Sequence, residues 1–397
     1  MLLISFPKFL PSQPLLLSSG PDNALKMWIF DQSDGSARLL RSRCGHSAPP
    51  TRVRFWSRGG LGLLSSGLDH SLRRLSITRD VQSNTEFSQG SVVKKARAKG
   101  VKAESLKLPP ITAFAAEMTR AQEWDSVVTC HAGFHSAQTW NMHNHAIGKH
   151  KLRSLHKAAK PLCVAITGCG NFCVLGMSTG HVEMFNIQSG IHRGEFGKPQ
   201  AHKLPVRGVA VNSINTEVYT GAGDRNVSFW SFQRKTRLTS VDLLSPVSSL
   251  VYHRDSSLMA VACDDFSVYV VDTDTRRTVR VFTGHSNRIT DMVFSPDSRW
   301  LLTGSMDCSI RTWDLATGRL LDYFLVDAPP TSLSLSATSD FLATTHVDDL
   351  GIYLWSNKSL YSSVPLRPLP GDFRPLTIEL PNTRGDREEG EEEEEGR

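Results

Sequence analysis

Residues 288–315 read RITDMVF, SPDS, RWLLTGS, MDCS and IRTWDL. Apolar and polar positions alternate along the longer runs, and the short spacers are rich in Ser, Asp and Pro. Alternation with a period of two fits strands with one face buried, and the spacer residues suit tight turns. Short β-type runs divided by Asp/Gly/Ser/Pro turns continue along most of the chain. No segment of the repeated region shows a long helical period. The pattern predicts an all-β fold.

The runs repeat. Aligned on the large residue closing the third run, the centres fall at 28, 75, 140, 185, 230, 271, 313 and 355. Most intervals are 41 to 47 residues and one is 65. Asp307 stands six residues before Trp313, and His285 stands 22 before Asp307. Asp224 is likewise six before Trp230, with His202 22 before it. Asp69 is six before Leu75 and 23 after His46. Asp22 precedes Trp28 and Asp349 precedes Trp355 at the same distance, and weaker copies pair Asp265 with Val271 and Thr179 with Phe185. A period near 40–45 with Gly-His and Trp-Asp signatures is that of a WD40 β-propeller blade of four antiparallel strands.

Ser, His and Asp are also the parts of a hydrolase triad, but a triad occurs once, whereas this set recurs blade after blade. His46, Asp69, His202, Asp224, Trp230, His285, Asp307 and Trp313 are therefore expected to form structural hydrogen-bond networks. A hydroxyl, Thr303 or Ser305 in the copy around Trp313, is expected between the Asp and the His, and the Trp313 indole N–H needs a buried acceptor. The expected ring has seven or eight blades. Residues 1–40 form a first blade, either one of the eight or the last blade of a preceding propeller. Residues 41–365 form the propeller, and 366–397 a rim segment and an acidic tail.

The 65-residue interval contains an insertion at about 83–110. Lys94, Lys95, Arg97, Lys99, Lys102 and Lys107 face only Glu86 and Glu104 there, and Phe87 is its sole aromatic residue. It reads as a basic loop extruded from a blade edge. Its candidate roles are contact with RNA phosphates or nuclear targeting, set against a solvated insertion with no role. The net charge of +6 divides into −6 on residues 386–397, DREEGEEEEEGR, and +12 on the rest. A basic body suits a polyanionic partner, and the tail could compete for that surface or bind a basic partner.

His131, His135, His143, His145, His150 and His156 crowd one region, yet show no ligand spacing of a known metal site, so a polar inter-blade loop is expected and no metal. No phosphate-binding glycine loop, H-E-x-x-H or G-x-S-x-G appears, so neither catalysis nor a cofactor nor a small-molecule substrate is expected. Seven cysteines without C-x-x-C point to a reducing compartment. Pro7, Lys8 and Pro11 break the apolar start, against a signal peptide. No apolar run is long enough to span a bilayer, so no membrane partner is expected.

Several stretches go further: SSGPDNALKMWIFD (18–31), LPPITAFAAE (108–117), QSGIHRGEFGKPQAHKLPVRGVAV (188–211), FSPDSRWLLTGSMDCSIRTWDL (294–315) and THVDDLGIYLWSNKSLYSSVPLRPLP (345–370). Together they resemble the WD repeat-containing protein 36 family, also called U-three small nucleolar RNA-associated protein twenty-one, over most of residues 15–370. The resemblance implies a non-catalytic, nucleolar scaffold subunit of the small-subunit processome, which matures small-subunit pre-rRNA. It implies other propeller subunits of the UtpB subcomplex as partners, with pre-rRNA or small nucleolar RNA. Family members carry two tandem propellers and a C-terminal helical domain. This chain matches the second-propeller region and ends in a Glu run, and is expected to be a partial form. The alternative is a WD40 substrate receptor of a cullin-based ubiquitin ligase. Such receptors often end a blade in Trp-Asp-x-Arg/Lys, whereas here Trp313-Asp314-Leu315 is followed by Ala316 and Trp230 by Ser231.

Overall fold

A computed structural model describes residues 6–20, 23–56, 59–78, 84–101, 103–363, 369–370 and 373–381. The runs quoted first become strands Ile289–Phe294, Trp300–Ser305 and Ser309–Asp314, joined by Leu320–Val326 in one antiparallel sheet. Eight such sheets follow one another along the chain. They span 6–44, 50–86, 111–153, 161–196, 206–242, 247–282, 289–326 and 330–356. The first six have four strands each. The seventh gains a fifth, parallel strand, Leu376–Ile378, and the eighth has three strands among the described residues.

Burial peaks in the second strands and falls off toward the last, and the sequence shows why. In the fifth sheet, Glu217–Ala222 and Asn226–Ser231 are buried on both faces, whereas the last strand, Arg237–Asp242, reads RLTSVD and is largely exposed. Central strands are therefore near-continuous apolar runs, and outer strands are polar.

Each core cluster lies between two consecutive sheets. Val174, Val182, Phe196, Val209 and Trp230 join the fourth and fifth sheets, and Val227, Phe229, Val247, Met259 and Val271 join the fifth and sixth. Val53 and Leu63 of the second sheet pack on Ala343 of the eighth, with Phe55, Leu75 and Ile352 against them. That contact closes a ring of seven sheets, the second to the eighth. The first sheet lies outside the cycle and is tied in at its corner, where the Asn23 amide donates to the His46 carbonyl at 2.9 Å. Closure removes the inner sheet edges and leaves a rigid body with loops at both ends.

The rim segment expected at 366–397 is partly described. Besides pairing with the seventh sheet, its Pro381 carbonyl accepts from Tyr353 at 3.1 Å. The acidic run 386–397 lies outside the described residues.

Candidate interaction surface and the clamps that hold it

The repeated aspartate has two tasks. The first is the hairpin turn: the residue after it takes a left-handed backbone, at His70, Arg225, Phe266 and Cys308. One carboxylate oxygen then accepts the amide two residues on, from Ser71, Asn226, Ser267 and Ser309 at 3.0–3.2 Å. The sixth sheet keeps this turn role at Asp265.

The second task is the clamp. In the fifth sheet the Trp230 indole donates to Thr220 Oγ1 at 2.8 Å, and Thr220 faces His202 Nε2 at 2.7 Å. His202 Nδ1 meets Asp224 at 3.0 Å. The polarity of the chain is fixed, because an indole only donates and a carboxylate only accepts. Thr220 therefore donates to Nε2, and Nδ1–H donates to Asp224. The seventh sheet repeats this with Trp313, Thr303, His285 and Asp307, at 3.0, 2.7 and 3.1 Å. Of the two candidate hydroxyls, Thr303 takes part, but between His285 and Trp313 and not between Asp307 and His285, where Ser309 lies; Ser305 donates to the Asn287 carbonyl. The second sheet has Asp69, His46 and Ser65, with Leu75 where the indole would be.

These bonds set the electrostatics. Burial alone would raise the Asp69 and Asp307 carboxyls. Hydrogen bonds from His46 and His285, with those from Ser71 and Ser309 and the histidine charges, outweigh it and hold both well below the usual range. Burial lowers His202 from its ordinary value of 6.5, against the pull of Asp224.

A second form of the clamp was not anticipated. In the third sheet the Trp140 indole donates to Thr129, which faces His131 Nε2, and His131 Nδ1 donates to the Pro109 carbonyl at 2.7 Å. In the eighth, Trp355, Thr344, His346 and the Ala328 carbonyl do the same. The histidine comes from the strand itself, and a carbonyl replaces the aspartate. Asp349 instead contacts the Tyr353 hydroxyl, and Asp22 lies outside the described residues. The visible signal was Thr-x-His followed nine residues later by Trp, at TCH…W and TTH…W.

The six crowded histidines do not form one loop. His131 is buried in a clamp, His145 packs edge-on to Phe87, and His135 lies 3.3 Å from the Ala159 carbonyl. His156 stacks on His181 at 3.7 Å and reaches Glu195 at 3.1 Å.

The basic insertion departs from an extruded loop. It adds strand Asn84–Glu86 to the second sheet and then forms helix Val92–Lys99, ended by Gly100 in the left-handed conformation. Phe87 explains its docking: the ring is fully buried, edge-on to Trp140 at 6.1 Å. Ser88 bridges to the third sheet, its amide donating to the His145 carbonyl at 2.8 Å. Lys94, Lys95, Arg97 and Lys99 are exposed on the helix, whereas Ala96 is buried beneath it. Glu86 is paired with Arg73 and Lys107, so it does not neutralise the helix. Lys102 lies outside the described residues.

A cavity of about 370 Å³ opens among the first strands of the second to sixth sheets, and its charged lining is Arg54 and Arg254. All seven cysteines are free thiols, and burial pushes Cys163 and Cys173 up to about 12.

Comparison with known proteins agrees with this architecture. The family model described as the WDR36/Utp21 second beta-propeller domain matches residues 51–381. The chain is 48% identical over 380 residues to human WD repeat-containing protein 36, covering 94% of this chain and 42% of that protein. It is 44% identical over 386 residues to the U3 small nucleolar RNA-associated protein 21 homolog of Schizosaccharomyces pombe, covering 96% and 42%. It is 38% identical over 389 residues to U3 small nucleolar RNA-associated protein 21 of Saccharomyces cerevisiae, covering 95% and 41%. The chain thus spans about two-fifths of the length of these relatives. On its repeats, its ring of sheets and these matches, the chain belongs to the WDR36/Utp21 second beta-propeller family.

Proposed function

We infer that the chain is a non-catalytic docking platform of the small-subunit processome, acting in the nucleolus during pre-rRNA processing. Its partners on this reading are other propeller subunits of the UtpB subcomplex, with pre-rRNA or U3-type small nucleolar RNA. The leading blade, residues 1–40, is on this reading the last blade of a preceding propeller.

One observation carries the proposal: a basic helix fixed by Phe87 to the edge of a closed ring. A rigid ring holds several partners in fixed relation, and a row of cations on its edge suits phosphates. Relatives named for association with U3 small nucleolar RNA supply the identity of the polyanion.

Affinity purification of the tagged chain from cells tests the reading. Recovery of U3 small nucleolar RNA with other propeller proteins is expected. Recovery of cullin-ligase adaptors in their place would overturn it.

A further inference from the structure

The clamp is missing from the fourth sheet as well as from the sixth, where Val261 and Val271 stand in place of the hydroxyl and the indole. In the fourth, Thr179 takes the place of the repeated aspartate, Leu175 that of the hydroxyl and Phe185 that of the indole. A different group of side chains occupies the same corner. His156 comes from the loop entering the sheet, His181 from the hairpin turn, Glu183 from strand Val182–Asn186, and His192 and Glu195 from strand His192–Phe196.

Donor atoms of His156, His181 and Glu195 all lie within 4.8 Å of one another, and so do those of Glu183, His192 and Glu195. Glu195 belongs to both groups. Glu183 is fully buried; its Oε1 accepts from Ser154, while its Oε2 has no hydrogen-bond partner among the described residues. His192 Nε2 and His181 Nδ1 are also buried without one. His192 Nε2 and Glu183 Oε2 face each other at 3.8 Å, too far for a hydrogen bond. Buried polar atoms are ordinarily paired, so Glu183 Oε2 and His192 Nε2, left open while facing each other, call for a shared partner.

We propose that Glu183, His192 and Glu195, with the His156 imidazole, 3.1 Å from Glu195, as fourth donor, form a binding site for a divalent transition-metal ion of the zinc class. The donors are imidazole nitrogens and carboxylate oxygens, a set that suits zinc, whereas calcium and magnesium prefer oxygen alone. Two carboxylates offset the nearby cation Lys235, whose ammonium also donates to the Arg193 carbonyl. Tetrahedral zinc at about 2.0–2.2 Å from each donor requires the atoms to draw together by roughly an ångström, which His156, its side chain 38% exposed, can accommodate by turning. Through His156 the bound ion joins the entering loop to the last two strands, much as the clamp joins that loop to the second and third strands in the fifth and seventh sheets. Its role is structural.

The test is isothermal titration of zinc into the chelator-treated, full-length chain, with thermal melting as a second readout. The expected result is one zinc per chain, a higher melting temperature with zinc, and no such shift with magnesium. His192→Ala and His156→Ala should each weaken binding by about tenfold or more and abolish the shift, while His135→Ala, outside the group, should leave both unchanged. Near-UV circular dichroism establishes folding of each variant. If His192→Ala does not fold, His156→Ala decides the matter, since its side chain is partly exposed. Absence of zinc binding by the unmodified chain, or equal binding by His156→Ala, would overturn the proposal.

Discussion

Arg54 grips Asp291 with two hydrogen bonds, of 2.7 and 3.1 Å, across 237 residues of sequence. Arg54 lies on the first strand of the second sheet and Asp291 on that of the seventh. The contact passes the first strand of the eighth sheet, where Ser332 donates to the same carboxylate at 2.6 Å and the Leu333 amide at 3.0 Å. Three sheets are thus fastened at the seam where the ring closes. The arginines raise no barrier to ionisation: burial works against the Asp291 carboxylate, but Arg54 and Arg52 outweigh it and hold its pKa down.

Asp291→Ala should cost about 3 kcal/mol, the low end for breaking a buried ion pair, because Arg54 is about a third exposed and can turn to water. Urea denaturation measures it. A double-mutant cycle with Arg54→Ala should show coupling of about 1 kcal/mol or more. Additive losses would mean that the seam does not depend on this pair.

Thr220→Val keeps the shape of the side chain but removes the acceptor of Trp230 and the donor to His202. Two buried groups then lose a partner, and a loss of about 3 kcal/mol is expected. Leu175→Val at the same position of the fourth sheet, where no clamp exists, should cost only about 1 kcal/mol for the missing methylene. Equal losses at the two sites would show that the polar chain adds little beyond packing.

Stability should fall with acid in two stages. His131, His202 and His346 are all lowered from 6.5, chiefly by burial. Below pH 6.5 the unfolded chain therefore binds more protons than the folded one, and stability declines as pH drops. Asp69 and Asp307 are held below their ordinary 3.8, so their contribution is present above that value and is lost as pH falls beneath it. Chemical denaturation from pH 8 to 3 should show a plateau above about 7, then a decline from 6.5. A decline on the alkaline side of that window, with none on the acid side, would reverse the assignment.

The helix cations supply the third kind of test. Replacing Lys94, Lys95, Arg97 and Lys99 with Gln should weaken RNA binding and flatten its dependence on salt, because fewer counterions are released. Melting should be unchanged, since these side chains are exposed. Binding that keeps the same salt slope would remove the helix from the RNA surface.

The sequence carried the frame well wherever one residue type is forced. The turn needs a carboxylate two residues before an amide, so Asp69, Asp224, Asp265 and Asp307 each stand six residues before a repeat centre and mark the period. Partners chosen by space alone were harder to read. Nothing local to Arg54 announces Asp291, because only ring closure brings them together. His131 was legible in principle from its distance to Trp140, but it sat among histidines that share a stretch of sequence and not a place in the fold. The insertion looked like a loop because its charges dominate; the one residue that pins it, Phe87, is a single apolar position without a periodic neighbour. Glu183, His192 and Glu195 read locally as ordinary polar strand positions, and only their convergence with His156 sets them apart.

On the proposed reading the ring meets RNA through its insertion edge, while its repeated His and Asp residues stay inside the blades. Ultraviolet RNA–protein crosslinking with mass spectrometry on the complex purified from cells measures this directly. Crosslinked peptides from residues 84–107 bearing pre-rRNA or U3 small nucleolar RNA are the predicted result. An assembly whose RNA crosslinks lie wholly elsewhere on the chain, or that contains no such RNA, would contradict it.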